Sequence, residues 1–503
     1  MRHALCVMII VLGLFFSLGC VAFTTTEPIT TIPTTIHSTD LTIPTTSFNP
    51  TTQMTDIPTT LTTTGPFQIK IGMFEQPFGF ASLQVIDRQG VDPVIVDSEI
   101  GFLYALMDPD IRVIEIVNDL YLGSDEVETA LLVQEKSLED VRSVYRPHSR
   151  QPIKHPQLIQ SGVGMVRIVQ RDGLMIYSQN GSQIKHASFL IDGSTDIVIR
   201  NLHFTELWEW DEQDFGSYKR NDWDYILIEK SQGIWLDRLT FDQAYDGIID
   251  IKEYSQNITL SWSRLVFEPN DFIESQIEDL ETHRLDNPYY DQLRNEGLSI
   301  EDVVRYASYQ KKGFNFGNST DGEGYESITV TFHHLEVKNL QDRFPRVRKG
   351  DIHLYHVRLN NHAIEQLRLK TSGTSASLIN QGIVTTEQGA IMMENSIFEY
   401  VTTPIKNHQE SNLDSKYTGR YYVKDSLLVR QGYEYFGSSD DRSTLWVHTG
   451  AIESLDFQWR NFTDIPYAYQ TNDVYFLEET FNDYPPGVVD LPGFDWRIIT
   501  PMT

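Results

Sequence analysis

The chain has 503 residues, 40% hydrophobic and 22% charged, an ordinary composition for a globular protein with a sizeable core. Its 70 Asp and Glu against 40 Lys and Arg leave a formal net charge of −30. Such a surface repels nucleic acid and other polyanions wherever no local basic patch or bound cation intervenes, so nucleic acid is excluded as a general partner.

The N-terminus carries processing signals. Arg2 precedes the apolar run "ALCVMIIVLGLFFSL", too short for a membrane span and right for a secretory h-region. The run ends in "SLGC", which resembles the lipobox of bacterial lipoproteins, with Ser17 in the place where Leu is commonest. Residues 1–19 therefore read as a lipoprotein-type signal peptide and Cys20 as a lipidated first residue. The expected location is the cell surface, outside the cell, on a lipid anchor; the alternative is an ordinary signal peptide with an incidental Cys20 and a secreted protein. The other cysteine, Cys6, lies in the leader, so the rest of the chain has neither disulfides nor a thiolate metal site. Residues 20–66 are Thr-rich and repeat "IPTT" at Ile32, Ile43 and Ile57, as an extended tether would. A single large domain, expected to be monomeric, then runs over 67–503 without a second linker.

The middle of that domain is built from short alternating runs: "DIVIRNLHF", "GIWLDRLTF", "NITLSWSRLVF", "SITVTFHHLEV" and "DIHLYHVRL". Each has the period of a half-buried strand and ends near a polar turn. Their leading isoleucines are Ile197, Ile234, Ile258, Ile328 and Ile352, and two of the gaps are 24 residues. A recurring unit of that size predicts a β-solenoid. The long gap from Ile258 to Ile328 holds an acidic, helix-patterned segment at about 268–310. It reads as an insertion on one face of the solenoid.

Asp246 and Asp250 stand in "YDGIIDIK". On a straight strand they would lie roughly 13 Å apart, too far to share a small cation, so a turn at Gly247 is expected. Asp222 and Asp224 precede the previous strand, and residues one coil apart stack at about 4.8 Å. Carboxylates without His or Cys make a hard-oxygen site suited to Ca²⁺, although each aspartate alone is more simply a turn residue. In "DRFPRVRKG", Arg343, Arg346, Arg348 and Lys349 form a cationic patch. Strand alternation sets Arg346 and Arg348 on one face, with Pro345 at an edge or turn. Read in isolation, the patch is a solvated face. His333, His334, His353 and His356 read as packed rather than metal-binding, having no carboxylate partner in the sequence.

In order and internal spacing, "VIRNLHF…DWDYILIEKSQGIWLDRLTF…YDGIIDIKEYSQNITLSW…TFHHLEVKNLQDRFPRVRKGDIHLYHV" resembles the pectate lyases of polysaccharide lyase family one. The resemblance implies an all-β right-handed parallel β-helix that cleaves polygalacturonate by β-elimination with Ca²⁺, giving 4,5-unsaturated oligogalacturonates. It makes Asp224 a calcium ligand, with Asp222, Asp246 and Asp250 completing the acidic set. Lys252 follows in "D-I-K" as a substrate-binding residue. Lys312 matches the lysine that contacts the substrate carboxylate, with Lys311 as the alternative. Arg343 matches the catalytic base and Arg348 its supporting arginine. Arg238 departs from the pattern, standing where the family has His. A base that is a guanidine implies an alkaline preference. A polygalacturonase on a similar solenoid would need acid and base carboxylates and its "NTD" and "GHG" signatures, which are absent. A polysaccharide-binding protein that kept the fold without catalysis is the remaining alternative.

Overall fold

Successive apolar positions along the chain stack into columns, and those columns define the architecture. The computed structural model describes residues 61–63, 74–127, 137–148, 152–216, 220–408, 414–437, 447–448 and 455–500. All of them belong to one unit, Asp56–Thr503. The leader and Cys20 lie outside the described residues. Within the stretch read as tether, Leu61–Thr63 pairs in parallel with Gln470–Asn472.

The fold is a right-handed parallel β-helix in which a coil contributes three strands, or two where the first two run on as one. One coil is Thr195–Arg200, His203–Thr205 and Ile226–Glu229; the next is Gln232–Asp237, Thr240–Phe241 and Ile249–Ile251. The first two strands of each coil join an 18-stranded sheet, and the third joins a 10-stranded sheet. The register stacks Ile197, Ile234, Ile258, Val330 and Ile352 in one inward column. All five are at most 1% exposed, so each coil extends one continuous core. Ile258 thus pairs with Val330 and not with Ile328. The repeat at that point is 22 residues to Ile352, a correction to the spacing of 24 expected from the isoleucines. Ile328, also buried, precedes the strand Thr329–Lys338.

The first three sequence runs are each two strands joined at a left-handed residue, and in the last two that residue sits within a single strand, Thr329–Lys338 and Asp351–Asn360. Asn201, Arg238, Trp262, His334 and His356 all have φ between 47 and 53° and occupy this corner in successive coils. Their side chains stack: the Arg238 guanidinium lies 5.4 Å from the Trp262 ring, Trp262 lies 4.0 Å from His334, and His334 4.6 Å from His356. The residues 455–500 return along this side, where Trp496 and Trp235 sandwich the Arg200 guanidinium at 4.9 and 4.3 Å.

The buried histidines form a one-way chain of hydrogen bonds. The Asn472 amide donates to His356 Nε2 at 2.8 Å, which puts the proton of a neutral ring on Nδ1. That proton faces His334 Nε2 at 3.1 Å; His334 Nδ1 in turn faces His333 Nδ1 at 2.9 Å, and His333 Nε2 faces the Pro77 carbonyl at 3.3 Å. Every step is satisfied with all three rings neutral. Burial pulls His333 down to about 3 and His356 to about 4, with His334 well below the ordinary imidazole range. His155, stacked 3.8 Å from Phe272, falls to about 4 for the same reason. Groups depressed on folding contribute stability that is complete above about pH 6.5 and is lost as the pH falls towards about 4. At pH 5 the loss is on the order of 2 kcal/mol for a histidine depressed to about 4, such as His155. The buried carboxylates raised at the acidic cluster work in the opposite sense, so the histidine contribution is read as a difference: between pH 6.5 and 4 the melting temperature of a His334→Asn variant should lose less than that of the original. His353 makes a separate contact, Nε2 to Glu394 Oε1 at 3.1 Å, so it does have a carboxylate partner, supplied from the next coil.

The connections into the third strand of each coil are the long ones. The segment 268–310 enters there as helices Asp271–Thr282, Pro288–Asn295 and Ile300–Ser308. Asn270 and Ser299 cap the first and last of these by accepting from Ile273 and Asp302 amides. Helix His362–Thr371 occupies the same place two coils on and reaches the insertion through Lys370 and Asp302, at 2.6 Å.

Candidate active site

The residues singled out in the sequence collect where these connections meet the 10-stranded sheet. Asp222 and Asp224 precede strand Ile226–Glu229, and Asp246 precedes Ile249–Ile251, on which Asp250 lies. Lys312 precedes Phe314–Phe316, and Arg343 precedes Arg346–Arg348. One coil after another thus delivers its functional side chains to one face, about 4.8 Å apart.

Carboxylate oxygens of Asp222, Asp224 and Asp246 lie within 4.8 Å of one another. Asp250 falls outside that trio. It faces outward from its strand, in register with Asn315, whose amide donates to Asp250 Oδ2 at 3.3 Å. The chain bends between Asp246 and Asp250, as the spacing required, but the reason for Gly247 is close approach. Its φ is not left-handed, and its amide donates to Asp224 Oδ1 at 2.6 Å. A Cβ there would meet that oxygen at 2.7 Å and the Gly313 carbonyl at 3.1 Å. Asp224 is accordingly stacked on Gly247, and Asp246 bonds to the Trp223 carbonyl through its amide at 3.2 Å.

The electrostatics are those of crowded carboxylates. Burial, then repulsion by Asp250, Asp246 and Asp222, pushes Asp224 well above the usual carboxylate range. Burial raises Asp250 to about 6, against the pull of Lys252. Asp246 is raised by burial too, moderated by its ion pair with Lys312. Lys252 Nζ stands 3.9 Å from both Asp250 and Glu229; burial lowers its pKa, but Asp250, Asp222 and Asp224 outweigh that and raise it. Negative charge held together out of water is relieved by a bound cation, and an all-oxygen donor set without thiolate or imidazole fits a hard one.

The basic residues form the other half. Val347 points into the core, so Arg346 and Arg348 share the outer face as alternation predicts. Arg348 donates to the Gly317 carbonyl and to Asn315 Oδ1 at 3.4 Å, and its Nε lies 3.5 Å from Glu387 Oε1. Arg343 has a left-handed backbone (φ 66°) ahead of the cis Phe344–Pro345 bond, with Nε 4.0 Å from Asp342 Oδ2. Among the described residues, the Nε atoms of Arg343, Arg346 and Arg348 find no hydrogen-bond partner. Lys311 and Lys312 diverge: Lys312 reaches Asp246, while Lys311 lies over the Tyr306 ring. Asn315 and Glu387 were not anticipated. Asn315 was within reach, since the register puts it between Asp250 and Arg346. Glu387, in "TTEQGA", carries no pattern.

A family model for pectate lyase matches residues 160–273, which include the four aspartates and Lys252. Pectate lyase B of Paenibacillus amylolyticus is 35% identical over 325 residues, spanning 62% of this chain and 80% of the relative. A pectate trisaccharide-lyase of Thermotoga maritima is 29% identical over 194 residues, 39% of this chain and 40% of the relative. The solved structure of the pectate lyase pelN from Paenibacillus sp. 0602 matches with a TM-score of 0.77 at 30% identity, covering 85% of this chain and 99% of that one.

Proposed function

Because the chain belongs to the pectate lyase family and is a polysaccharide lyase, we propose that it cleaves polygalacturonate by calcium-dependent β-elimination at this face. The observation that carries the reading is the delivery, coil by coil, of Asp222, Asp224, Asp246 and Asp250 beside Lys312, Arg343 and Arg348. The aspartates would hold Ca²⁺, with Asp222, Asp224 and Asp246 nearest to a common point. Bound there, Ca²⁺ neutralises the substrate carboxylate and so acidifies the adjacent C5–H as a Lewis acid.

The chain's own residues supply the rest. Lys312 and Arg348 stabilise the charge that builds on the carboxylate as C5 loses its proton. The Arg343 guanidine takes that proton, the C5 electrons form the C4–C5 double bond, and the C4 oxygen leaves with the other half of the polymer. Glu387 and Asn315 hold Arg348 in place. Only a deprotonated guanidine accepts a proton, so the rate climbs towards alkaline pH. The same proposal places the enzyme outside the cell, tethered through lipidated Cys20. Mass analysis of the products tests the reaction class. Elimination gives oligomers with an unsaturated non-reducing end, lighter by one water than the hydrolytic ones, and a product mixture containing saturated oligomers alone would refute it.

A further inference from the structure

Of the arginines between Asp342 and Gly350, the reaction uses Arg343 and Arg348 and leaves Arg346 without a task. Arg346 stands half-buried on the outer face of strand Arg346–Arg348, within reach of a polymer lying there. Its neighbours in register offer it nothing. One coil before it is Asn315, whose amide donates to Asp250 Oδ2 and whose Oδ1 accepts from Arg348 at 3.4 Å. One coil after it is Val384, which is apolar. Among the described residues, Arg346 Nε finds no acceptor and its guanidinium closes no ion pair.

Two carboxylates attract Arg346 from a distance, and both are engaged elsewhere. Asp342 accepts from the Arg343 amide at 2.9 Å and also faces the Arg343 and Lys406 side chains. Glu387 accepts from the Asp321 amide at 2.9 Å and lies 3.5 Å from Arg348 Nε. Asp246 and Asp250 face Arg343 from the acidic half of the site. Arg343, Arg346, Arg348 and Lys406 thus set four positive charges around Asp342 and Glu387. Burial, then repulsion by Arg348 and Arg343, lowers Arg346 to about 10. A guanidinium withdrawn from water and left unpaired gains from an incoming anion. Polygalacturonate brings one carboxylate on every sugar. Lys312 and Arg348 take the carboxylate of the sugar that loses its proton. Arg346 lies two residues along the strand from Arg348, roughly 6.6 Å, so the carboxylate it meets belongs to a bonded neighbour. A planar guanidinium suits that group, which it can bind through two parallel N–H bonds.

We propose that Arg346 is a substrate-binding residue that holds the carboxylate of the uronate bonded to the reacting one. Lys406, two coils on in the same column, continues the positive face in that direction. The inference rests on the lyase reading, and its test separates the two. Arg346→Gln removes the charge and keeps a polar side chain. Its KM on polygalacturonate is expected to rise about tenfold, with kcat within twofold and the pH profile unmoved. Having no partner to lose, the variant should melt no lower than the original. Arg346→Lys restores the charge without the fork and should raise KM by less. An unchanged KM would overturn the proposal. So would a fall in kcat alone or a shifted pH profile, because Arg346 would then act through Arg343 and not on the polymer. Should Arg346→Gln melt early, Arg346→Lys decides, and a KM as high as that of Arg346→Gln would refute the role of the charge. Affinity electrophoresis in polygalacturonate, with Arg343→Lys present to stop turnover, reads the same contact without the reaction. Equal retardation with and without Arg346→Gln, or none in either, would overturn the subsite. Weaker retardation with Arg346→Gln supports it, and if the original protein then forms no unsaturated product, the lyase reading alone fails.

Discussion

Replacing Arg343 with lysine should lower kcat on polygalacturonate by about 10²–10⁴-fold, the range associated with losing a positioned general base. Lysine keeps a positive charge but is shorter, so it cannot place a basic nitrogen where the guanidine stands. Folding should survive the change. Among the described residues Arg343 Nε finds no hydrogen-bond partner, its ion pair with Asp342 is loose at 4.0 Å, and both arginine and lysine carry the Cβ that the left-handed backbone must tolerate. Steady-state kinetics with a melting curve for each protein checks this. A kcat within tenfold of the original would remove Arg343 from the chemistry.

The second large effect concerns Asp224. Asp224→Asn keeps the size and the oxygen that accepts from Gly247, and removes one of the crowded charges. Without calcium at alkaline pH, the variant should melt no lower than the original, because a buried carboxylate repelled by three neighbours opposes folding. With calcium the order reverses. At a hundred times its dissociation constant the ion should stabilise the original protein by about 2.7 kcal/mol, and the variant far less. Thermal melts with and without calcium read both halves. A variant that responds to calcium as strongly as the original would place the ion elsewhere.

The solenoid was legible because its core demands one inward column per strand, and β-branched residues repeat wherever that column passes. The column fixed the runs but not their register at Ile328, since Ile328 and Val330 are both apolar and both buried. The aspartates were legible as a group because a β-helix converts sequence spacing of one coil into contact. What spacing could not say is that Asp224 stacks on Gly247, leaving Asp250 outside the closest trio. The helical insertion also hid how Asp250, Asn315 and Arg346 align, because it separates adjacent coils by far more than a normal turn. The return of residues 455–500 over the 18-stranded sheet left no periodic mark. The aromatic residues there are placed by partners such as Arg200 and Tyr355, far away in sequence.

The most direct test of the whole account is the initial rate of ultraviolet absorbance rise from unsaturated uronate ends. It would be followed on polygalacturonate at alkaline pH with calcium, with a chelator, and with calcium restored. The account predicts a rise with calcium, none with the chelator, and recovery on restoration. A rise that ignores the chelator would contradict the metal role of the four aspartates, and no rise under any condition, with binding to the polymer retained, would make the chain a binding protein on a lyase fold.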